Sequence, residues 1–295
     1  MNIFWRKIEG QEHLTDDDIL RKYKFTNVYR ACDRVSQYLI RNVINKEQNQ
    51  YMPEDILLRI LVFKVFNRIE TWEYLASHEE ITIRAFDVFR LSHLLTLRQQ
   101  SLPIFSNAYI MAGHHAHYEG ITTKHQVWLQ MIKDEFIRNK GIEKVLKAKS
   151  MASVYSQLRE YPLIGDFLAY QYTIDFNYSP YFDFDEDSFV KAGVGAVRGI
   201  KKCFSSYGSS FEYAIVYTHD NFSKLQDRYG FTGFKPLPGR MPTLIDLQNC
   251  FCETDKFLRA KMPELRVGNV RIKQRYKPNK DRINYCFPDK WRVHI

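Results

Sequence analysis

Between Leu158 and Phe204 the chain sets helix-period apolar runs on either side of a turn that no helix can absorb. The turn is Tyr161-Pro162-Leu163-Ile164-Gly165, and an amphipathic run continues from it to Asn177. Proline removes a backbone donor and glycine frees the backbone from side-chain sterics, so one helix ends here and another starts. The acidic turn Asp183-Phe184-Asp185-Glu186-Asp187 comes next, followed by Gly193-Val194-Gly195. Two helices meeting at a short glycine turn present unpaired N–H groups to a phosphate. The same pattern also serves as a plain connection between helices followed by an acidic loop.

Helical periodicity governs most of the remaining chain. Thr26 is placed to cap a helix with Val28, Cys32, Val35, Leu39 and Val43 on one face. Pro53 suits a first helical turn, and Ile56, Leu57, Ile60, Leu61, Phe63 and Phe66 follow it. Further helices are predicted over 81–98, 123–139, 142–160, 166–177, 189–204, 222–229 and 243–261. Strand signals are confined to 267–276 and 283–287, which read as a small hairpin around Lys277-Pro278-Asn279-Lys280. The expected architecture is all-α. One domain is expected over 1–262, with an irregular or β basic extension over 263–295 packed on it.

Charge narrows the partners. A formal net charge of +9 favours a polyanion, and although most of the 15 % aromatic content must be core, a tyrosine surplus beside basic residues also suits stacking on bases. Basic residues gather near the C-terminal end, at Arg259, Lys261, Arg266, Arg271, Lys273, Arg275, Lys277, Lys280 and Arg282, interleaved with Tyr276 and Tyr285. Such a set tracks a nucleic-acid backbone or forms a solvated basic edge. Five scattered cysteines without a CxxC pair predict reduced thiols in a cytoplasmic protein. No apolar signal core opens the sequence and no run is long enough to span a membrane, so a soluble, intracellular protein is expected; it is also expected to be a monomer.

Several constellations could carry chemistry. Asn67, Arg68 and Glu70 follow directly on an apolar helix, where Asn beside Arg can read a base edge or hold a phosphate; a plain helix end uses the same residues. The run Gly193-Val194-Gly195-Ala196-Val197-Arg198-Gly199 is no dinucleotide fingerprint, because its third glycine falls one residue late and no strand precedes it. With Arg198, Lys201 and Lys202 it fits either a phosphate contact or tight helix packing. Glu253 and Lys256 stand three apart and share a helix face. His114, His115, His117 and His125 lack an acid or cysteine to complete a compact ligand set, so neither metal nor cofactor is expected.

Five segments are distinctive jointly. They are Thr26-Asn27-Val28-Tyr29-Arg30-Ala31-Cys32-Asp33-Arg34-Val35-Ser36, Phe66-Asn67-Arg68-Ile69-Glu70-Thr71-Trp72, Gly165-Asp166-Phe167-Leu168-Ala169-Tyr170-Gln171, Gly193-Val194-Gly195-Ala196-Val197-Arg198-Gly199-Ile200 and Cys252-Glu253-Thr254-Asp255-Lys256-Phe257. Together they resemble the helical domain associated with 5-hydroxymethyluracil DNA kinases and alpha-glutamyl/putrescinyl thymine pyrophosphorylases, over residues 25–262. The resemblance implies a helix-hairpin-helix DNA glycosylase-like fold and action on hypermodified bases in phage DNA. Antiphage glycosylases that remove glucosylated hydroxymethylcytosine belong to the same group. No GxxxxGK[ST] phosphate loop occurs in the sequence, so kinase chemistry is set aside.

In that superfamily the hairpin grips the DNA backbone, and an acid downstream works on the glycosidic bond. With Gly165 ending the hairpin, the register falls on Asp185 or Asp187. With Gly195 ending it, the register falls near Ile215, and Asp220 is the nearest acid. The first register is preferred. Asp187 is also placed to cap a helix starting at Ser188, and Asp175 and Asn177 are the next candidates. Bifunctional relatives carry a lysine just past the hairpin glycine; Asp166 and Phe167 stand there, which implies a monofunctional enzyme.

The implied activity is a DNA glycosylase that flips out a hypermodified base, best alpha-glucosyl-5-hydroxymethylcytosine in phage DNA, and leaves an abasic site in antiphage defence. The resemblance would put Asn67, Arg68, Glu70, Gln171, Asn177, Glu253 and Lys256 against base and sugar. Gly165, Gly193, Gly195, Arg198, Lys201, Lys202, Lys273, Arg275 and Lys277 would meet the DNA backbone. The alternatives are a transferase that displaces pyrophosphate from phosphorylated 5-hydroxymethyluracil in DNA, and a non-catalytic reader of modified DNA.

Overall fold

In the computed structural model, which describes residues 1–107, 111–231, 233–265, 274–279 and 281–295, fourteen α-helices carry the described chain. They are α1 (Asn2–Ile8), α2 (Asp18–Lys22), α3 (Arg34–Tyr38), α4 (Pro53–Phe66), α5 (Ile69–His78), α6 (Val88–Gln99), α7 (Lys124–Met131), α8 (Gly141–Leu146), α9 (Met151–Arg159), α10 (Asp166–Asn177), α11 (Val194–Cys203), α12 (Phe211–Asp220), α13 (Phe222–Tyr229) and α14 (Leu244–Lys261). Among the described residues the only β pairings are two isolated antiparallel bridges, Tyr23 with Arg275 and Leu237 with Arg240. The all-α expectation holds. The chain divides into two compact units, one formed by Arg34–Asp185 and the other by Met1–Asp33 with Glu186–Ile295.

The continuous unit is organised by α4. Pro53 starts it, and the Asp55 carboxylate accepts the Met52 amide at 3.3 Å in the first turn. Every residue from Ile56 to Phe66 is buried, Arg59 and Lys64 included, so this stretch turns no face to solvent. Asn67 ends it in the left-handed conformation (φ 46°) with its amide on the Phe63 carbonyl at 2.8 Å. Helix α10 is buried from Leu168 to Asn177 and packs on α4 and α9. Tyr172 donates to the Leu61 carbonyl at 3.1 Å, fastening α10 to α4.

The discontinuous unit is organised by α14, whose Thr243 amide and hydroxyl both donate to Asp246 at 3.1 and 3.2 Å. Helix α11 lies against α14 across two glycines. A Cβ on Gly195 would fall 2.3 Å from Cys252 Sγ, and one on Gly199 would fall 1.9 Å from the Phe251 carbonyl oxygen. Any side chain at Gly199 must therefore displace the α14 backbone.

Several sequence expectations shift. The helix expected after Thr26 does not form before Arg34, because side chains capture that backbone. Asn27 donates its backbone amide to Asp33 at 3.0 Å and its side-chain amide to the Cys32 carbonyl at 3.1 Å, while the Arg30 amide goes to Asp246 at 2.8 Å. The stretch 142–160 breaks where Ser150 caps α9, accepting the Ser153 amide at 3.1 Å. Residues 189–193 are non-helical, and α11 begins at Val194. The terminal hairpin is corrected at 283–287, which carry no strand, and Arg275 pairs with Tyr23 instead. Residues 266–273 and 280, which include Arg266, Arg271, Lys273 and Lys280, lie outside the described residues. No helix among the described residues is long and apolar enough to cross a membrane.

Candidate active site

In the continuous unit the sequence candidates are mostly inward. Asp175 is fully buried, with Lys64 Nζ at 2.7 Å from its Oδ2, so it has no surface from which to meet a substrate. Asn177 clasps Phe184, accepting its amide and donating to its carbonyl, both at 3.1 Å. Gln171 is buried within α10, and Asn67 is the buried left-handed cap of α4. Arg68 pairs with the more exposed Glu70 at 3.3 Å. The exposed Asp185 follows the Phe184 clasp.

The turn before α10 differs from the expected glycine hairpin in one respect. Its left-handed residue is Leu163 (φ 69°), whereas Gly165 caps α10 with φ −82° and has open space where a Cβ would stand. In the first turn of α10 Asp166 accepts from Tyr155 at 2.7 Å and Arg159 at 2.6 Å. That carboxylate already complements the positive end of the helix, so a phosphate arriving there meets a resident anion.

The discontinuous unit gathers a denser polar site. Glu186 and Asp187 are consecutive but serve different partners. Glu186 is buried; it accepts Trp291 Nε1 at 2.7 Å and pairs with Arg240, whose guanidinium lies 3.5 Å over the Trp291 ring. Asp187 is partly exposed. Its Oδ1 accepts the Leu244 amide at 3.1 Å, at the start of α14, and its Oδ2 lies 3.3 Å from His219 Nε2 at the end of α12. The capping role expected at Ser188 is thus corrected: Asp187 serves α14, because no helix starts at 188. His219 Nδ1 faces Asp220 at 3.2 Å. The acids favoured by the two hairpin registers therefore share one imidazole, and Ile215 is fully buried.

Asp246 lies behind this site. Burial pushes its carboxyl up to about 6, although hydrogen bonds from Arg30 and Thr243 and the charge of Arg240 oppose the rise. A carboxyl raised in the folded state stabilises the fold fully below its unfolded value, near pH 4, and that contribution is lost as pH rises through 6. The stability of the native chain relative to Asp246→Asn should therefore fall by about 2–3 kcal/mol between pH 4 and 7. Urea unfolding of both proteins across that range reads the change; parallel pH profiles would contradict it.

A second hub sits at Asp255, almost wholly buried in α14. Lys202 reaches it at 2.6 Å, Arg198 at 3.1 Å and Arg259 at 3.2 Å. Burial raises this carboxyl, but Lys202, Arg198 and Arg259 outweigh it and hold the group below the usual carboxylate range. Arg198 and Lys202 are thus tethered, while Lys201 is exposed. Gly193 caps α11, and Gly195 faces Cys252. Glu253 and Lys256 pair at 2.5 Å and hold residues 24–26, through the Lys24 carbonyl at 2.8 Å and the Thr26 amide at 3.3 Å. Arg275 and Lys277 are exposed. The histidines expected not to bind metal are apart in role: His125 is buried beside Thr96 at 3.0 Å, and His115 accepts the His117 amide at 3.1 Å.

Sequence reasoning missed Glu186, His219, Arg240 and Trp291. The T-x-x-D cap at Thr243 and Asp246 was a readable signal for where α14 starts; the partners it would draw from Asp187 and Arg30 were not.

Residues 1–267 match the family described as 5-hmdU DNA kinase, helical domain. The 5-hmdU DNA kinase of Bacillus phage SP10 is 27 % identical over 237 residues, which is 73 % of this chain. The match covers 36 % of that relative, so the chain spans about a third of its length. No solved structure matches the chain.

Proposed function

The chain belongs to the family of the 5-hmdU DNA kinase helical domain, and from that premise we propose that it excises a hypermodified base from DNA. The reading is a monofunctional glycosylase, with alpha-glucosyl-5-hydroxymethylcytosine in phage DNA as the best substrate and antiphage defence as the role. The name of the phage relative supports a modified DNA base as the target. A kinase assignment gains nothing from this sequence, which has no GxxxxGK[ST] run.

One observation carries the proposal: Asp187 is held from two helices, by the Leu244 amide that donates to it at 3.1 Å and by the His219 imidazole 3.3 Å away. As the glycosidic bond lengthens, positive charge develops on the deoxyribose. A carboxylate already oriented meets that charge without reorganising, and it can also take a proton from the attacking water. Lys201, Arg275 and Lys277 supply exposed cations for phosphates, and Arg198 with Lys202 adds a tethered pair around Asp255. Flipping the base out of the stack gives the acid access to the sugar.

Genomic DNA from phages of known base modification provides the test. Incubation should release free modified base, detected by mass spectrometry, and leave alkali-labile strands that give no borohydride-trapped protein adduct. Pyrophosphate release without free base would replace this reading with the transferase. Binding with neither product would reduce the chain to a reader.

A further inference from the structure

We propose that Tyr213 and Tyr217, on the outer face of α12, form a stacking platform for an unpaired DNA strand. The proposal rests on the reading that the chain engages DNA, and adds the state of the strand it holds. Helix α12 turns Ala214 and Ile215 inward, both buried, and leaves Tyr213 51 % and Tyr217 40 % exposed. The two rings stand one helical turn apart and nearly parallel, with centroids 6.5 Å apart and 26° between planes.

Both rings are set in place. Gly208, in the left-handed conformation (φ 68°), lies under Tyr213 so closely that a Cβ there would stand 2.3 Å from the ring. Tyr217 meets Phe204 edge-on at 6.5 Å, and Phe204 packs on Phe251 of α14 at 5.9 Å. Rings anchored from behind and open in front lose little freedom when a base stacks on them.

The sequence around the platform is basic, although Arg198, Lys202 and Arg240 are paired elsewhere. Residues 191–240 carry eight Lys and Arg against three Asp and Glu. Lys201 Nζ lies 5.4 Å from the Phe211 ring at the start of α12. Of the three acids, Glu212 is held by Lys191 at 3.3 Å and the Ala192 amide at 3.0 Å, and Asp220 faces His219. Bases in a duplex have their faces covered by neighbours, whereas an unpaired strand offers them freely.

Fluorescence anisotropy of the full chain with a short unmodified oligonucleotide, single-stranded and as duplex, tests the platform. Tyr213→Ala and Tyr217→Ala should each weaken single-strand binding about tenfold, with smaller effects on duplex, while Tyr→Phe at either position retains affinity. Because both rings are exposed, thermal melts of these variants should match the native chain. Unchanged single-strand affinity in the double Ala variant would overturn the proposal. So would equal losses for single strand and duplex, or Tyr-dependent binding of an acidic peptide or anionic vesicle without binding of the strand. Base release from modified phage DNA, run alongside, separates the two readings: failed excision leaves the unmodified-strand result standing, and a failed platform leaves excision intact.

Discussion

Asp187→Asn should leave the chain folded and bound to DNA while base release falls about a hundredfold to a thousandfold, the effect of removing one preorganised electrostatic contact. The amide side chain keeps the shape of the carboxylate, and its oxygen can still accept from Leu244. What it lacks is the charge that would meet the deoxyribose cation. Single-turnover release of the modified base measures the rate, and filter binding checks that the DNA still docks. Asp185→Asn, at an exposed position beyond the Phe184 clasp, serves as the register control. Asp220→Asn decides between the two ends of the His219 imidazole. Full activity in Asp187→Asn with loss in Asp220→Asn would transfer the acid's role to Asp220.

Lys64→Met should destabilise the continuous unit by about 3–5 kcal/mol, because it removes the cation that faces the buried Asp175 carboxylate. Lys64 and Asp175 are among the most deeply buried polar residues, and they meet at 2.7 Å between α4 and α10. Asp175→Leu should cost a similar amount. The double variant should recover most of the loss, since an apolar pair of similar volume removes both desolvation terms together. Urea unfolding of the three variants forms the cycle. A double variant no better than either single change would show that the pair is not what the core depends on.

The parts of the fold that were legible share a physical cause. Pro53, Thr243 and the 166–177 period are local signals, and α4, α10 and α14 start and run as those signals dictate. Segments that failed were decided by side-chain hydrogen bonds, one of them from a distant partner. The apolar spacing after Thr26 is helical, yet the Arg30 amide is taken by Asp246, more than two hundred residues away. The Ser150 cap interrupts a continuous apolar period, and short polar side chains of this kind compete with helix by local hydrogen bonds.

The candidate site follows the same division. Asp187 could be singled out from its spacing beyond Gly165, given a family resemblance. Its partners could not, because Leu244 and His219 arrive from helices whose packing no local pattern encodes. The Gly195 run was ambiguous for a related reason. A glycine that admits a phosphate and one that admits a neighbouring helix look alike until Cys252 and Phe251 are in position.

The interruption of one unit by the other sets an order on synthesis. Residues 34–185 are contiguous, so their contacts can close once that stretch has left the ribosome. Residues 1–33 cannot finish alone, since Arg30 waits for Asp246, and within 186–295 the Glu186 clasp waits in turn for Trp291. Translating the roughly 100 residues from Glu186 to Trp291 takes roughly 5–20 s at ordinary elongation rates. Through that interval the nascent chain carries a folded unit beside an unpaired N-terminal segment. Asp187 gains its Leu244 and His219 partners only once residue 244 has been made, so the proposed DNA chemistry switches on after the scaffold that Lys64 and Asp175 hold together.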